Sequence, residues 1–227
     1  MSRQTDNILV RGVGWVDGHS FGCVRRQWRV DGGEDARAPW QQTDLFAYPV
    51  KNLGRFNVET RLTVCACALG LRDAGVLYGE GRKLEFGLIG TNADGSLAAN
   101  RDYFQDYLQA GRTLARGNLF IYTLPSSPLA EAAIHFGLQG PMLYFGLPSG
   151  GGNLLDAGAG LIADGMTEGV LAVRSDAQGA VAFLLGSEAV AGPHVTVGRM
   201  GACLKGGGTV GEWVRSLEMA MKGIGAT

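Results

Sequence analysis

One short turn in this chain of 227 residues carries the residue types that could do chemistry. Ser149 stands between an apolar run at 142–147 and an amphipathic pattern at 153–164. The order predicts a buried strand, a sharp turn and a helix. Backbone N–H groups and the positive end of the dipole at a helix N-terminus stabilise an alkoxide, a thiolate or an oxyanion. The turn is therefore a candidate nucleophile site.

Two roles for Ser149 remain open from the residues alone. Ser149 could act as a nucleophile, but the segment lacks the first glycine of the G-x-S-x-G elbow and no adjacent base is evident. Alternatively, serine is a good helix N-cap, a role that needs no chemistry. The glycines at 150–152 lack the further residues of a dinucleotide-binding or phosphate-binding loop. Close packing of the helix explains them better.

Composition and charge exclude several function classes. The formal net charge is −1 and the pI is about 6.3, so no basic surface for nucleic acid is predicted. No apolar stretch reaches the length of a membrane span, and the polar first residues do not resemble a signal peptide. We therefore expect a cytoplasmic globular protein with no membrane or nucleic-acid partner, and no cofactor motif is present.

The cysteines and histidines give no metal-binding pattern. Cys65 and Cys67 lie two apart in a helical pattern, while Cys23 and Cys203 are isolated. This spacing predicts neither a zinc site nor a disulfide, and burial explains the four residues better. His135 ends an alanine-rich helical pattern, which is more typical of a packing or capping residue than of a base.

Strand and helix patterns alternate along the chain. The predicted strands lie at 8–16, 84–90, 142–147, 169–174 and 180–185, and the predicted helices lie at 59–74, 100–110, 128–136, 153–164 and 209–221. The last two strands are expected to form a hairpin. Residues 17–49 resist assignment and predict an excursion with short strands outside the core. This order predicts an α/β fold with a mostly parallel sheet and helices on both faces.

Several ordered motifs resemble one known family. They are KNLGRF at 51–56, ALGLRDAG at 68–75, GLIGT at 87–91, LFIYTLP at 119–125 and AEAAIHFGLQGP at 130–141. Together they resemble beta-ketoacyl synthases, and especially their chain-length-factor relatives. The resemblance covers about residues 45–185.

The resemblance implies a thiolase-like fold. A complete ketosynthase consists of two similar βαβαβαββ halves, and this chain resembles the N-terminal half alone. We therefore expect a single domain over residues 1–227 with a mostly parallel five-stranded sheet. An irregular excursion is expected at about 17–50.

The sequence departs from the family pattern at the nucleophile position. In the family, the first half supplies a cysteine at the strand-to-helix turn and the second half supplies two histidines. Here the cysteine position falls on Ser149, or on Pro148 if the alignment shifts by one residue, and no motif replaces the histidines. His194 lacks the family's histidine context. A thioester of the usual kind therefore cannot form, and whether the chain is an enzyme stays open.

Four residues are candidates for binding an acyl group. Gly150 and Gly151 belong to the turn, Phe145 belongs to the strand before it, and Tyr107 belongs to a region that neighbours the acyl tunnel and the partner subunit in ketosynthases. No metal ligands are predicted among them.

Three functions follow as expectations. The first is a non-condensing accessory or chain-length-factor-like protein of fatty-acid or polyketide-type biosynthesis. Such a protein would bind acyl carrier protein, an acyl chain or a ketosynthase partner. The resemblance implies a homodimer, or a heterodimer with a complete ketosynthase, because the strand that corresponds to 142–147 pairs across a two-fold axis in the family. The alternative is a small acyltransferase or thioesterase that uses Ser149. The third is a half-length homodimer that binds an acyl or CoA ligand without chemistry.

Overall fold

The computed structural model describes residues 7–17, 20–31, 41, 44–92, 94–113, 116–146, 151–187, 195–204 and 208–224. Its eight strands are β1 (Leu9–Asp17), β2 (Ser20–Cys23), β3 (Trp28–Val30), β4 (Phe86–Asn92), β5 (Met142–Tyr144), β6 (Gly169–Ser175), β7 (Ala180–Gly186) and β8 (Val195–Thr196). They form one sheet in the order β3-β2-β1-β7-β6-β4-β5, and β8 pairs with β1.

The sheet is mixed. Strand β4 is parallel to β5 and to β6, whereas β6, β7, β1, β2 and β3 follow one another with antiparallel pairings. The carboxyl ends of β4, β5 and β6 therefore lie at the same edge of the sheet. The residues that follow these three apolar strands therefore lie along one edge of the sheet.

Helices cover both faces of the sheet. They are α1 (Val58–Asp73), α2 (Leu97–Gln109), α3 (Gly117–Ile121), α4 (Ser127–Phe136), α5 (Gly151–Ala163), α6 (Val197–Cys203) and α7 (Val210–Ile224). One core cluster joins α1 and α4 to the sheet, and a second joins α5, α6 and α7 to the opposite face. None of the helices in the described part of the chain is long and apolar enough to cross a bilayer.

Helix α1 is the central helix of the first face. The side chain of Asn57 caps it by accepting a hydrogen bond from the Thr60 N–H at 2.9 Å. The chain leaves the helix through Gly75, whose φ of +71° favours glycine. Twelve of its 16 residues are buried, because the helix lies between the sheet and α4. Its N-terminus is thereby fixed beside the carboxyl ends of β4 and β6.

The expected α/β class with helices on both faces is confirmed. The sheet, however, has eight strands among the described residues and is mixed, instead of five strands in a mostly parallel arrangement. The excursion at 17–50 contributes β2 and β3, which extend the sheet beyond β1. It also contributes to the core, since Phe21, Cys23 and Leu45 are each 2% exposed. Helices α3 and α6 and strand β8 were not predicted either.

Candidate functional site

The structure contains a strand and a helix on the two sides of the predicted turn. Strand β5 ends at Tyr144, and α5 begins at Gly151. Pro148, Ser149 and Gly150, which include both candidates for the nucleophile position, lie outside the described residues. Gly151 is the first residue of α5 and therefore stands at the positive end of that helix's dipole.

The sequence pattern predicted a buried strand at 142–147, but β5 is partly exposed. Met142 and Leu143 are 44% and 40% exposed. The reason is the position of β5 at the end of the sheet, where it pairs with β4 on one side and with no described strand on the other. An apolar edge strand of this kind favours pairing with another chain.

Tyr144, the last residue of β5, and Phe145, which follows it, pack on opposite faces of the sheet. Tyr144 packs against the core cluster that contains α1, and Phe145 packs against the cluster that contains α5. The backbone N–H of Phe145 donates to the Gly90 carbonyl at 2.8 Å. Phe145, a candidate for acyl binding, therefore lies on the face that α5 covers.

Tyr107 has different surroundings. It lies on α2, where its ring is 6.5 Å from the ring of Phe104 in the same helix. Helix α2 packs against α3 and exposes apolar side chains, including Phe104 at 58% and Leu108 at 42%. Tyr107 and Phe145 therefore contact different residues, and they line no common pocket in the described part of the chain.

A carboxyl group that sequence reasoning missed lies at the shared edge of β4 and β6. Glu59, in the first turn of α1, accepts hydrogen bonds at Oε1 from the Asn92 side-chain amide and from Ser175 Oγ, the latter at 3.0 Å. Asn92 ends β4 and Ser175 ends β6. The Glu59 carboxyl thus connects the start of α1 to two neighbouring parallel strands.

The surroundings of Glu59 raise the pKa of its carboxyl. Burial is the largest cause, and the nearby carboxylates of Asp94 and Asp176 act in the same direction. The hydrogen bonds from Ser175 and Asn92 oppose the shift because they stabilise the charged form. Carboxyl groups whose pKa is raised by burial and by neighbouring charges occur often at functional sites.

Two buried hydroxyl groups lie beside this carboxyl. Thr63 Oγ1 and Thr91 Oγ1 have no hydrogen-bond partner among the described residues. Both residues line a small cavity of about 10 Å³, together with Glu59, Tyr144 and Ser175. A cavity of this size holds about one water molecule. Burial, and next the charge of Glu59, raises the pKa of the Tyr144 hydroxyl.

A weak sequence signal for this cluster existed. Polar residues follow the apolar strands at 91–92 and at 175–176, and the carboxyl ends of parallel strands meet at one edge. Glu59 gave no signal of its own, because an acidic residue in the first turn of a helix is explained by the helix dipole. Only the contact across the fold distinguishes it from an ordinary surface glutamate.

His135 is not a base for this site. Its side chain is buried among the rings of Phe46, Tyr48, Tyr78 and Phe136, with ring centroids 4.4 to 6.1 Å away. Burial lowers the pKa of its imidazole to about 4. His135 therefore has the packing role that the sequence predicted. His194 lies outside the described residues.

The cysteines are free thiols. Cys23, Cys65 and Cys67 are buried, as expected. Burial raises the pKa of the Cys23 and Cys67 thiols to about 12, and raises that of Cys65 as well. Cys203 is exposed, contrary to the expectation, because it ends the short helix α6 at the surface. None of the four belongs to the β5–α5 turn.

Comparison with solved structures identifies the class of fold. The chain superposes on a beta-ketoacyl synthase from Burkholderia phymatum STM815 with a TM-score of 0.58 and 16% sequence identity. It superposes on the ishigamide ketosynthase/chain length factor with a TM-score of 0.56 and 17% identity. The AntDE:AntF complex, an acyl-carrier protein with its ketosynthase bound to the hexaketide, gives 0.52 and 13% identity. The chain therefore has the thiolase-like fold of ketosynthases and chain length factors.

The match covers more of this chain than of its structural relatives. The superpositions include 79%, 82% and 79% of this chain but 58%, 64% and 57% of the three relatives, in the same order. The chain thus spans less than two thirds of the length of these proteins. No protein-family model and no curated protein matches the sequence.

Proposed function

We propose that this chain is a ketosynthase-like, non-condensing accessory protein of fatty-acid or polyketide-type biosynthesis. In this role it binds an acyl carrier protein, an acyl chain or a ketosynthase partner. It has the thiolase-like fold and performs no carbon–carbon bond formation itself.

One observation carries this proposal. The chain has the ketosynthase fold, yet residues 145–150, which connect β5 to α5, contain no cysteine. Thioester formation needs a thiolate, and the three buried thiols lie in the core with raised pKa values. A ketosynthase fold without an available thiol at this turn supports a binding role rather than condensation.

The test measures condensation and binding separately. The full chain is incubated with an octanoyl thioester and a malonyl thioester of acyl carrier protein, and the products are followed by mass spectrometry. We expect no β-ketoacyl product, together with saturable binding of the octanoyl carrier protein in a titration. A β-ketoacyl product formed by this chain alone would contradict the proposal.

We further propose that β5 forms the contact with a second copy or with a ketosynthase partner. Met142 and Leu143 expose apolar surface on a strand whose outer edge pairs with no described strand. Phe104, Phe120 and Ile121, on α2 and α3, are also more than half exposed. Pairing of the edge strand would satisfy its free N–H and C=O groups.

Glu59 favours a second candidate, a small acyltransferase or thioesterase that uses Ser149. The sequence offered no base for the Ser149 hydroxyl, whereas Glu59 places a carboxyl of raised pKa at the carboxyl edge of β4 and β6. In this reaction Ser149 Oγ would bond to the thioester carbonyl carbon and the C–S bond would break. The base would accept the serine proton and would then pass it to the departing thiolate, which leaves as the thiol.

Intact-mass measurement separates the two candidates. The second one predicts an acyl adduct or steady thioester hydrolysis that Ser149→Ala abolishes and Glu59→Gln slows by about a hundredfold. The accessory function predicts no adduct in the original chain or in either variant. Ser216→Ala on α7, where the Ser216 hydroxyl donates to the Glu212 carbonyl, is the matched control and should change neither result.

A further inference from the structure

A second cleft lies at the far end of α1 from Glu59. Helix α1 has 16 residues and is therefore about 24 Å long. The cleft, of about 320 Å³, opens where the chain leaves α1 at Gly75. Its other walls are the segment at 44–47 and the turn between β2 and β3, which carries Arg26. Its described lining includes no residue of β5, of α5 or of the Glu59 cluster.

Much of the wall of this cleft is apolar. Leu45 and Phe46 come from one side, and Val76, Leu77 and Tyr78 come from the other. Leu77 is 74% exposed, although the side chains next to it pack partly against the core. A concave apolar surface of this volume is at the lower limit of typical small-molecule sites.

Two guanidinium groups accompany the apolar wall. Arg72 donates from Nη2 to the carbonyl oxygens of Asp44 and Leu45, and its guanidinium lies 5.4 Å from the centre of the Trp28 ring. These contacts hold its side chain in one position at the cleft. The remaining N–H groups of Arg72 have no partner among the described residues, so they can donate to a ligand.

Arg26 supplies the second positive charge. Asp73 fixes its backbone by accepting the N–H groups of Val13, Arg25 and Arg26 at 2.7, 3.1 and 2.9 Å. Its guanidinium, in contrast, has no partner in the described part of the chain and is exposed. Its Nη2 lies beside Gly75, 3.6 Å from where a Cβ atom would stand.

The balance of charge in the cleft is positive. Among the residues that line it, Arg26 and Arg72 face a single carboxylate, that of Asp44. Asp73 is close by, but it is 3% exposed and its oxygens accept the three backbone N–H groups. Guanidinium groups form strong, directional hydrogen bonds with carboxylates. The cleft is therefore complementary to an anion that also carries an apolar part.

We propose that this cleft binds a small amphipathic carboxylate. The carboxylate lies between Arg26 and Arg72, and the apolar part covers Phe46, Val76 and Leu77. This site is separate from the function proposed above, because it lies at the opposite end of α1 and uses none of the residues of the turn. Binding there would cover the exposed side chain of Leu77.

Isothermal titration of the full chain with octanoate and with 1-octanol tests the proposal. Octanoate should bind saturably, and 1-octanol should bind at least tenfold more weakly because it lacks the charge. Arg26→Gln should weaken octanoate binding by about tenfold, since it removes one charge-assisted contact. Arg101→Gln, which removes an exposed arginine from α2, is the matched control and should leave the affinity unchanged.

A second pair of variants tests the apolar wall. Leu77→Asn should weaken octanoate binding severalfold, whereas Ile134→Asn, at a side chain that is 77% exposed on α4, should not. In ¹⁵N NMR spectra, octanoate should shift the amide signals of Gly75, Val76 and Leu77 first. Equal affinity for octanoate and 1-octanol, an unchanged affinity in Arg26→Gln, or shifts confined to other residues would overturn the proposal.

Discussion

Gly14 on β1 lies so close to Gly70 on α1 that Gly14 has no room for a side chain. A Cβ atom added to Gly14 would stand 2.2 Å from the backbone nitrogen of Gly70. Gly70 in turn packs over Ala182 on β7. These small residues bring α1 directly onto the sheet, and this close packing fixes where Glu59 meets the carboxyl edge.

Substitution of Gly14 tests this packing. Gly14→Ala should lower the free energy of unfolding by about 2 kcal/mol or more, because the added methyl group collides with backbone that cannot move freely. Gly160→Ala on α5 is the control, since its Cβ would meet open space. There we expect a gain of about 0.5 to 1 kcal/mol from helix propensity. Urea unfolding followed by circular dichroism measures both, and equal stability of Gly14→Ala and the original chain would refute the close contact.

His135 makes the stability depend on pH in a defined direction. Its pKa is about 4 in the folded protein, against 6.5 for the free side chain. Since the folded state disfavours the proton, its contribution is fully present above about pH 6.5 and is lost as the pH falls toward 4. Between pH 7 and pH 5 the unfolding free energy should fall by about 2 kcal/mol more in the original chain than in His135→Phe. Parallel curves for the two proteins would contradict the assignment.

The hydrogen bond from Ser175 holds down the pKa of Glu59. Ser175→Ala removes a donor to the charged form, so the pKa of the Glu59 carboxyl should rise further above its usual range. A ¹³C NMR titration of the Glu59 carboxyl measures the change directly. Ser216→Ala, whose hydroxyl donates to the Glu212 carbonyl on α7, should leave that titration where it was.

Thiol reactivity should separate the four cysteines. In the native protein a thiol-specific reagent should modify Cys203 rapidly, because it is exposed, and the other three only after unfolding. Intact mass should therefore show one adduct before denaturation and four after it. Rapid native modification of Cys23, Cys65 or Cys67 would mean that the core opens, and Cys203→Ser identifies the fast site.

The proposed contact through β5 predicts an effect on association. Leu143→Lys places a charge on the exposed edge strand and should weaken dimer formation at least tenfold in light scattering at micromolar concentration. Ile134→Lys introduces the same charge at an exposed side chain on α4 and should leave association unchanged. A chain that is monomeric before substitution would exclude the homodimer, and the test would then be repeated with a ketosynthase partner.

The sequence by itself predicted the elements around the site well. Continuous apolar runs located β4 and the β6–β7 hairpin within a few residues, because strands that are buried on both faces are apolar throughout. Helical spacing and capping residues located α1, α4 and α5 with similar accuracy. The motifs from residue 51 to residue 141 were sufficient to indicate the ketosynthase-like fold. The strands of the excursion before residue 50 were not located, because β2 and β3 are too short to show a repeating pattern of apolar residues.

Tertiary structure alone decided which strand is the edge and which polar groups meet. The apolar run that begins at Met142 looks like any buried strand, and only the strand order leaves it exposed. Glu59 and Ser175 are 116 residues apart, and the pairing of β4 with β6 brings the end of each strand to the start of α1. Local sequence records which face of a segment avoids water, whereas long-range pairing determines the neighbours of its polar residues. That is why the helix after the turn segment could be predicted from the sequence, whereas the contacts of the Glu59 carboxyl could not.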